Sequence, residues 1–283
     1  MKKLYSLFLF FVPVLVFANT YSADFSGSSQ YASITNDLSI QGTQSSYSVW
    51  AKPDDTGNYY YISQADGGTN VAFSLDFTGG TWRFNRERSF VANCAITYSD
   101  SGFGGTWVHM VGTYDGTNIR MYKNGSLVAG PATCTGSGSS GLSDGMFIAS
   151  SYGPGGYLAG QLDDVIVFNT DIGATRASEL YSDPCNPVLD NAVARYELDN
   201  DFVDSVGAFD LVGSGSPTFV SNTAYSCDTS GEVATSTGAT TTEAILVNGF
   251  MSLIFGLSLI LFLLMLFVSG YLYNNIIKPF DER

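Results

Sequence analysis

The stretch W-V-H-M-V-G-T-Y-D-G-T-N-I-R-M-Y-K-N-G-S-L-V, Trp107 to Val128, decides the fold. Two runs rich in β-branched and aromatic residues, Trp107–Tyr114 and Asn118–Lys123, flank the turn Asp115-Gly116-Thr117. A second turn, Asn124-Gly125, leads into Ser126–Ala129. Asp-Gly and Asn-Gly between apolar runs are strong hairpin signals, because these residues accept the positive φ that tight hairpin turns require. The stretch is therefore a β-meander, and the chain around it repeats the pattern. Further strands are expected at Ser45–Pro53, Tyr59–Ser63, Asn70–Asp76, Thr81–Arg86, Ser89–Tyr98, Met146–Ser150 and Gly160–Asn169, separated by Gly-rich turns.

The chain has 283 residues, 45% hydrophobic, 14% aromatic and 13% charged, with 31 glycines. That profile suits one all-β domain plus membrane segments and excludes a disordered chain. Residues 19–243 carry 8 basic and 24 acidic side chains, a net charge of about −16. So acidic a surface repels phosphate backbones, which argues against a nucleic-acid partner and is compatible with divalent cations.

Both ends point to export. Lys2 and Lys3, the apolar run Leu4–Val16 and the small-residue site Val16-Phe17-Ala18 have the form of a signal peptide over 1–18. Residues 244–273 contain no charge, and Gly249–Tyr273 is long enough for a membrane-spanning helix, which needs about 20 apolar residues. Tyr271 and Tyr273 stand where an interfacial belt would lie, followed by Lys278 and Arg283. The positive-inside rule then puts a tail, 274–283, in the cytoplasm. Residues 228–243, without an apolar face, form a Ser/Thr-rich stalk. The expected product is a single-pass type I protein of the cell membrane, with its domain, 19–227, outside the cytoplasm. Cys94, Cys134, Cys185 and Cys227 all lie in the exported part, so two disulfides are expected. Four cysteines allow three pairings, of which sequence proximity favours Cys94–Cys134 and Cys185–Cys227.

The motif W-x-H-x-x-G-T-Y-D-G followed by I-x-M-Y-x-N-G resembles the signature hairpin of laminin G-like domains in the concanavalin A-like lectin/glucanase superfamily. The opening F-x-G…Y-x-x-I at Phe25–Ile34, the S-V-W-A-K-P strand and the G-Q-L-D-D-V-I-V-F-N strand at Gly160–Asn169 are similar to the family's strands, in the right order. The likeness covers residues 21–183 and implies an antiparallel two-sheet jelly-roll sandwich, with a short helix after Asn169 whose Ala177, Leu180 and Tyr181 share one face. Segment 192–220 resembles the family's opening segment but comes last. It is too short to bury a core alone, and so is expected to complete the same domain in permuted order.

The superfamily's hydrolytic branch resembles E-x-D-x-x-E, and this chain's six glutamates, 87, 179, 197, 232, 243 and 282, are isolated. Asp163 and Asp164 are adjacent, so on a regular strand they point to opposite faces and cannot form the close carboxylate pair of a retaining glycosidase. His109, alone of its kind, reads as structural, so no catalytic residue is assigned and no enzyme is expected. The resemblance implies binding of a glycan or a surface protein, assisted by calcium on Asp24, Asp163 and Asp164. Sugars stack on aromatic faces and are oriented by a few polar groups, which nominates Tyr59, Tyr60, Trp82, Arg86, Tyr152 and Tyr157, with Arg83 as a further donor. Trp50 and Trp107 are assigned to the core. Two rival functions remain: a virion attachment protein, since signal, adsorption domain, linker and span resemble the filamentous-phage layout, and a degenerate carbohydrate-active enzyme.

Overall fold

The computed structural model describes residues 19–35, 38, 44–65, 71–86, 94–134, 144–151 and 155–227. The expected signal peptide, stalk, membrane helix and cytoplasmic tail lie outside them. Among the described residues no helix is long and apolar enough to cross a membrane. The strands are β1 (Ser22–Ser26), β2 (Tyr31–Ser33), β3 (Ser45–Pro53), β4 (Tyr59–Ala65), β5 (Val71–Thr78), β6 (Thr81–Arg86), β7 (Cys94–Ser99), β8 (Val108–Tyr114), β9 (Asn118–Lys123), β10 (Ser126–Thr133), β11 (Asp144–Ile148) and β12 (Ala159–Phe168). Helix α1 (Gly173–Ser182) follows, and then β13 (Ala192–Tyr196), β14 (Val212–Ser214) and β15 (Thr218–Val220).

They build two antiparallel sheets. One runs β10-β9-β8-β3-β12-β1-β15, with β13 also on β12; the other runs β14-β2-β11-β4-β5-β6-β7. We call them the back and the front sheet. The meander is β8-β9-β10, and its Asn124-Gly125 turn has φ of 48° and 76°, the left-handed pair that those residue types accept.

Alternation sorts the side chains. Tyr47, Val49 and Ala51 of β3 and Val108 and Met110 of β8 face inward, against Tyr61, Phe73, Phe77, Trp82 and Phe84 of the front sheet. Each large side chain buried this way stabilises the fold by about 1.5–3 kcal/mol. Gly112 takes an inward position where a Cβ would lie 2.4 Å from the Phe84 ring, so the glycine of the G-T-Y-D-G motif lets a ring rest on backbone.

Both open sides of the sandwich are tied. On one, Cys94 of β7 is bonded to Cys134 just past β10, with Cα atoms 5.1 Å apart. On the other, the chain passes from β14 in the front sheet to β15 in the back sheet through a turn at Gly215, whose φ is 70°. A Cβ there would be 2.2 Å from the Ser29 carbonyl oxygen, which excludes any side chain. Segment 192–220 thus lies within the same sandwich: β13 pairs with β12, β14 with β2 and β15 with β1.

Candidate functional site

The outward side of the back sheet carries an apolar patch, and the chain covers it. Val111, Tyr122, Ile166 and Phe168 pack against Ala177 and Leu180 of α1. Beyond the helix, the segment reaching Cys227 is fastened to Cys185 by the second disulfide. Both bonds follow the pairing favoured by sequence proximity.

Under this cover, cross-strand register aligns His109, Trp50 and Asp163 on β8, β3 and β12. Trp50 is buried, but outside the core between the sheets: its ring lies 4.9 Å from His109, 5.5 Å from Tyr181 and 5.9 Å from Tyr225. Trp107 is half-buried rather than a core residue. His109 Nε2 is 2.8 Å from Ser48 Oγ, and burial pushes its pKa down to about 3, so the ring is neutral.

Asp163 and Asp164 correct the sequence reading. The register of β12 against β3 shifts between Asp163 and Ile166, and Asp164 has φ of 42°. This bulge lies where β1, which pairs with residues up to Leu162, gives way to β13, which pairs from Val165. It turns both carboxylates outward instead of to opposite faces. Asp163 is fully buried; Asn19 Nδ2 and the Ala224 amide donate to its Oδ2 at 3.0 and 2.9 Å. Burial pushes its pKa up to about 7. The Arg195 Nε donates to Asp164 Oδ1 at 2.7 Å, and Glu197 lies 3.1 Å from the same guanidinium.

The carboxylates nominated for calcium are therefore not assembled. A buried arginine serves Asp164, and Asp24 is hydrogen-bonded to Gln161, with its pKa raised mainly by burial. Among the described residues no group of three or more His, Cys, Asp or Glu is placed to hold a metal. What a hard cation would still find there is a pair of buried oxygens without hydrogen-bond partners, Asp163 Oδ1 and Asn19 Oδ1.

The outward side of the front sheet differs. Register aligns Val212, Ser33, Phe147, Ser63, Ser74 and Asn85 across six strands. Beside them Tyr60, Asp76 and Arg83 form a second row, in which Asp76 is fully buried and accepts from Arg83 Nε at 3.0 Å. Arg83 also donates to the Tyr60 hydroxyl at 3.5 Å, and its side chain is 34% exposed.

The nominated binding residues divide on this frame. Trp82 is fully buried, stacked 4.7 Å from Tyr61 with its Nε1 donating to Asp100, so it is a core residue and no ligand reaches it. Arg86 is buried too, donating to Ser45 Oγ and lying 4.4 Å from the centre of the Tyr114 ring. Strand alternation explains both: Trp82, Phe84 and Arg86 share the inward face of β6, whereas Arg83 faces out. The alternation of T-W-R-F-N-R, residues 81–86, carries that signal in the sequence. Tyr59 packs against the core, with its hydroxyl donating to Asp55. Tyr152 lies outside the described residues.

Tyr60 and Tyr157 are half-exposed on the front sheet's outward side. Tyr157 stacks on Tyr31 at 6.3 Å, and Tyr31 lies 5.8 Å from Phe147. Tyr31 and Phe147 were missed, because a tyrosine opening a three-residue strand and a phenylalanine in an apolar run both look like core.

A family model described as the Concanavalin A-like lectin/glucanases superfamily, Laminin_G_3, matches residues 26–176. No curated protein matches the sequence. Among solved structures, the native heptameric SAP-like pentraxin of Limulus polyphemus is similar, at 18% identity and a TM-score of 0.55, over 73% of this chain and 97% of that one. A Bacteroides ovatus protein whose name proposes carbohydrate binding is similar at 17% identity and a TM-score of 0.56, over 71% of this chain and 60% of that one. At such identities the likeness shows the fold alone.

Proposed function

This chain belongs to the laminin G family of the concanavalin A-like superfamily, and from that premise we propose that it is a binding protein that recognises a glycan through the outward side of its front sheet. The observation that carries the reading is the group Tyr31, Tyr157 and Phe147, half-exposed and held ring against ring, on the side that α1 and the Cys185–Cys227 segment do not cover. Rings fixed by neighbours lose little entropy when a sugar stacks on them. The name of the Bacteroides protein points the same way. A surface protein is the alternative occupant of the same side.

Three further parts of the reading are ours. The domain is displayed on a cell membrane by the span at 244–273, supported by that segment's lack of charge and the basic residues after it. It is not an enzyme, supported by the isolated glutamates and by the engagement of Asp164 with Arg195. Calcium assists folding or binding through Asp163 Oδ1 and Asn19 Oδ1, two buried oxygens without hydrogen-bond partners among the described residues.

The test is a glycan array probed with the full-length oxidised chain in mild detergent, in calcium and again in a chelator. Selective binding in both buffers supports a calcium-independent lectin, and binding lost in the chelator adds the metal. A blank array from folded protein overturns glycan recognition and moves the assignment to a protein partner or a virion coat role.

A further inference from the structure

The front sheet ends in a groove of about 590 Å³ between β2, the loop after it and the segment Ala208–Ser214. The volume falls in the range of about 300–1,000 Å³ typical of small-molecule clefts. Its floor is set by register. Val212 stands opposite Ser33 and Ser214 opposite Tyr31, so these four side chains share the outward face. Between them Gly213 and the buried Ala32 face inward; a Cβ on Gly213 would come within 2.9 Å of the Phe202 ring.

The chemistry of this floor is mixed in a particular way. Val212 is 71% exposed, the most exposed large apolar side chain among the described residues. Beside it stands the Tyr31 ring, held in place by Tyr157 and Phe147. The hydroxyls of Tyr31, Ser33, Thr35 and Ser214 are engaged by no hydrogen bond within the described structure. Asp210 completes the lining; its Oδ1 accepts from the Asp204 amide at 2.9 Å, which leaves Oδ2 for a ligand. The described lining contains no Lys or Arg. An anionic ligand would meet a carboxylate with no compensating cation, in a domain whose net charge is already strongly negative. An apolar ring and a valine, ringed by unpaired hydroxyls and one acceptor, complement a molecule with C–H faces and a rim of hydroxyls.

We propose that the groove between β2 and β14 binds a short neutral oligosaccharide, with Tyr31 and Val212 against the C–H face of a sugar and Asp210, Ser33 and Ser214 bonded to its hydroxyls. The inference rests on the glycan-binding reading above and deepens it. Half of the groove comes from residues 208–214, outside the matched 26–176, so the site belongs to this chain's own closing segment and not to the matched family core.

The experiment measures binding of the full-length chain in detergent to maltotetraose, cellotetraose, xylotetraose and mannotetraose, with sialyllactose, tetragalacturonate and a heparin tetrasaccharide as anionic counterparts. At least one neutral chain is expected to bind and the anionic ones are not. Tyr31→Ala and Val212→Glu are expected to weaken binding roughly tenfold or more at an unchanged melting temperature. Leu127→Ala, exposed on β10 and outside the groove, is expected to leave binding as in the parent. Glycan binding that survives both groove substitutions, or that prefers an anionic probe, overturns the groove assignment and leaves the lectin reading standing. No binding to any glycan by folded protein overturns both.

Discussion

The outward sides of the two sheets come from the same period-2 alternation and end in opposite conditions. On the back sheet the outward positions include Trp50, Val111, Tyr122, Ile166 and Phe168, too apolar to face water, among polar ones such as Ser48, His109 and Asp163. The chain covers them with α1 and the disulfide-tied segment, and so encloses Asp163, Asp164, Arg195 and His109 as well. On the front sheet the outward positions are chiefly Ser33, Ser63, Ser74, Asp76 and Arg83, with Tyr31, Phe147 and Tyr157 as half-exposed rings. Buried ion pairs occur on both sides, Arg195–Asp164 on one and Arg83–Asp76 on the other, so the difference teaches that the two sides are set apart by the helix and disulfide-tied cover and not by charge. The open side is marked instead by the half-exposed rings Tyr31, Phe147 and Tyr157, packed against one another.

The comparison can be broken most severely by removing the closing segment. Deleting residues 192–220 takes away β13, β14 and β15 with the buried Ala194, Tyr196, Leu198 and Leu211. The product is expected to show no cooperative thermal transition. A calorimetric melt near the parent's temperature would show that the matched core folds without its closing strands.

Next in size is Arg195→Ala, which leaves Asp164 charged and nearly dry. The expected cost is about 3–5 kcal/mol, as for breaking one partner of a buried pair. Urea unfolding measures it, and a loss below about 1 kcal/mol, the level of an exposed ion pair, would show that Asp164 does not depend on Arg195. Replacing both Cys185 and Cys227 by serine opens a loop of sequence separation 42, and is expected to cost about 2–4 kcal/mol. Glycan binding at temperatures where the variant is folded should persist, because the disulfide serves the covered side; lost binding would place recognition under the cover instead.

Asp163→Asn sharpens the comparison through pH. Burial raises Asp163 from 3.8 to about 7, so its contribution is fully present below about pH 4 and is lost as pH rises through about 7. His109 is lowered from 6.5 to about 3, so its contribution is present above about pH 6.5 and is lost as pH falls toward 3. The two slopes oppose each other between pH 4 and 6.5. The variant keeps a side-chain oxygen to accept from Asn19 and Ala224, and removes the first slope. It should be more stable than the parent at pH 8 by on the order of 1–3 kcal/mol, and lose stability more steeply on acidification. Denaturant titrations at pH 8, 6.5 and 4 test this, and an unchanged pH profile would mean that Asp163 is neutralised by other means. Smallest in stability is Tyr157→Ala, expected to cost about 1 kcal/mol for a half-exposed ring while reducing glycan binding. Equal binding by parent and variant would remove Tyr157 from the site.

Much of the fold was legible because its signals are local. The meander, the G-Q-L-D-D-V-I-V-F-N strand, the helix with Ala177 and Leu180 inward, and the even cysteine count all depend on neighbours within a few residues. The candidate site was less legible. Trp82 and Arg86 were nominated by residue type, although the alternation of β6 places them with Phe84. Tyr31 gained its role only from Phe147 and Tyr157, more than a hundred residues away.

The sequence by itself determined that this chain makes an antiparallel sandwich of laminin G type, with a net negative charge and four cysteines in the domain. Period-2 alternation, turn residues and charge count are properties of short stretches and survive without tertiary context. Only the tertiary structure decided which side of each strand is covered, that a bulge brings Asp163 and Asp164 to one side, and that β14 lies beside Tyr31 to form a groove. Those outcomes depend on long-range pairing, where a one-residue shift in register exchanges the two faces of a strand, and no short window of sequence contains that information.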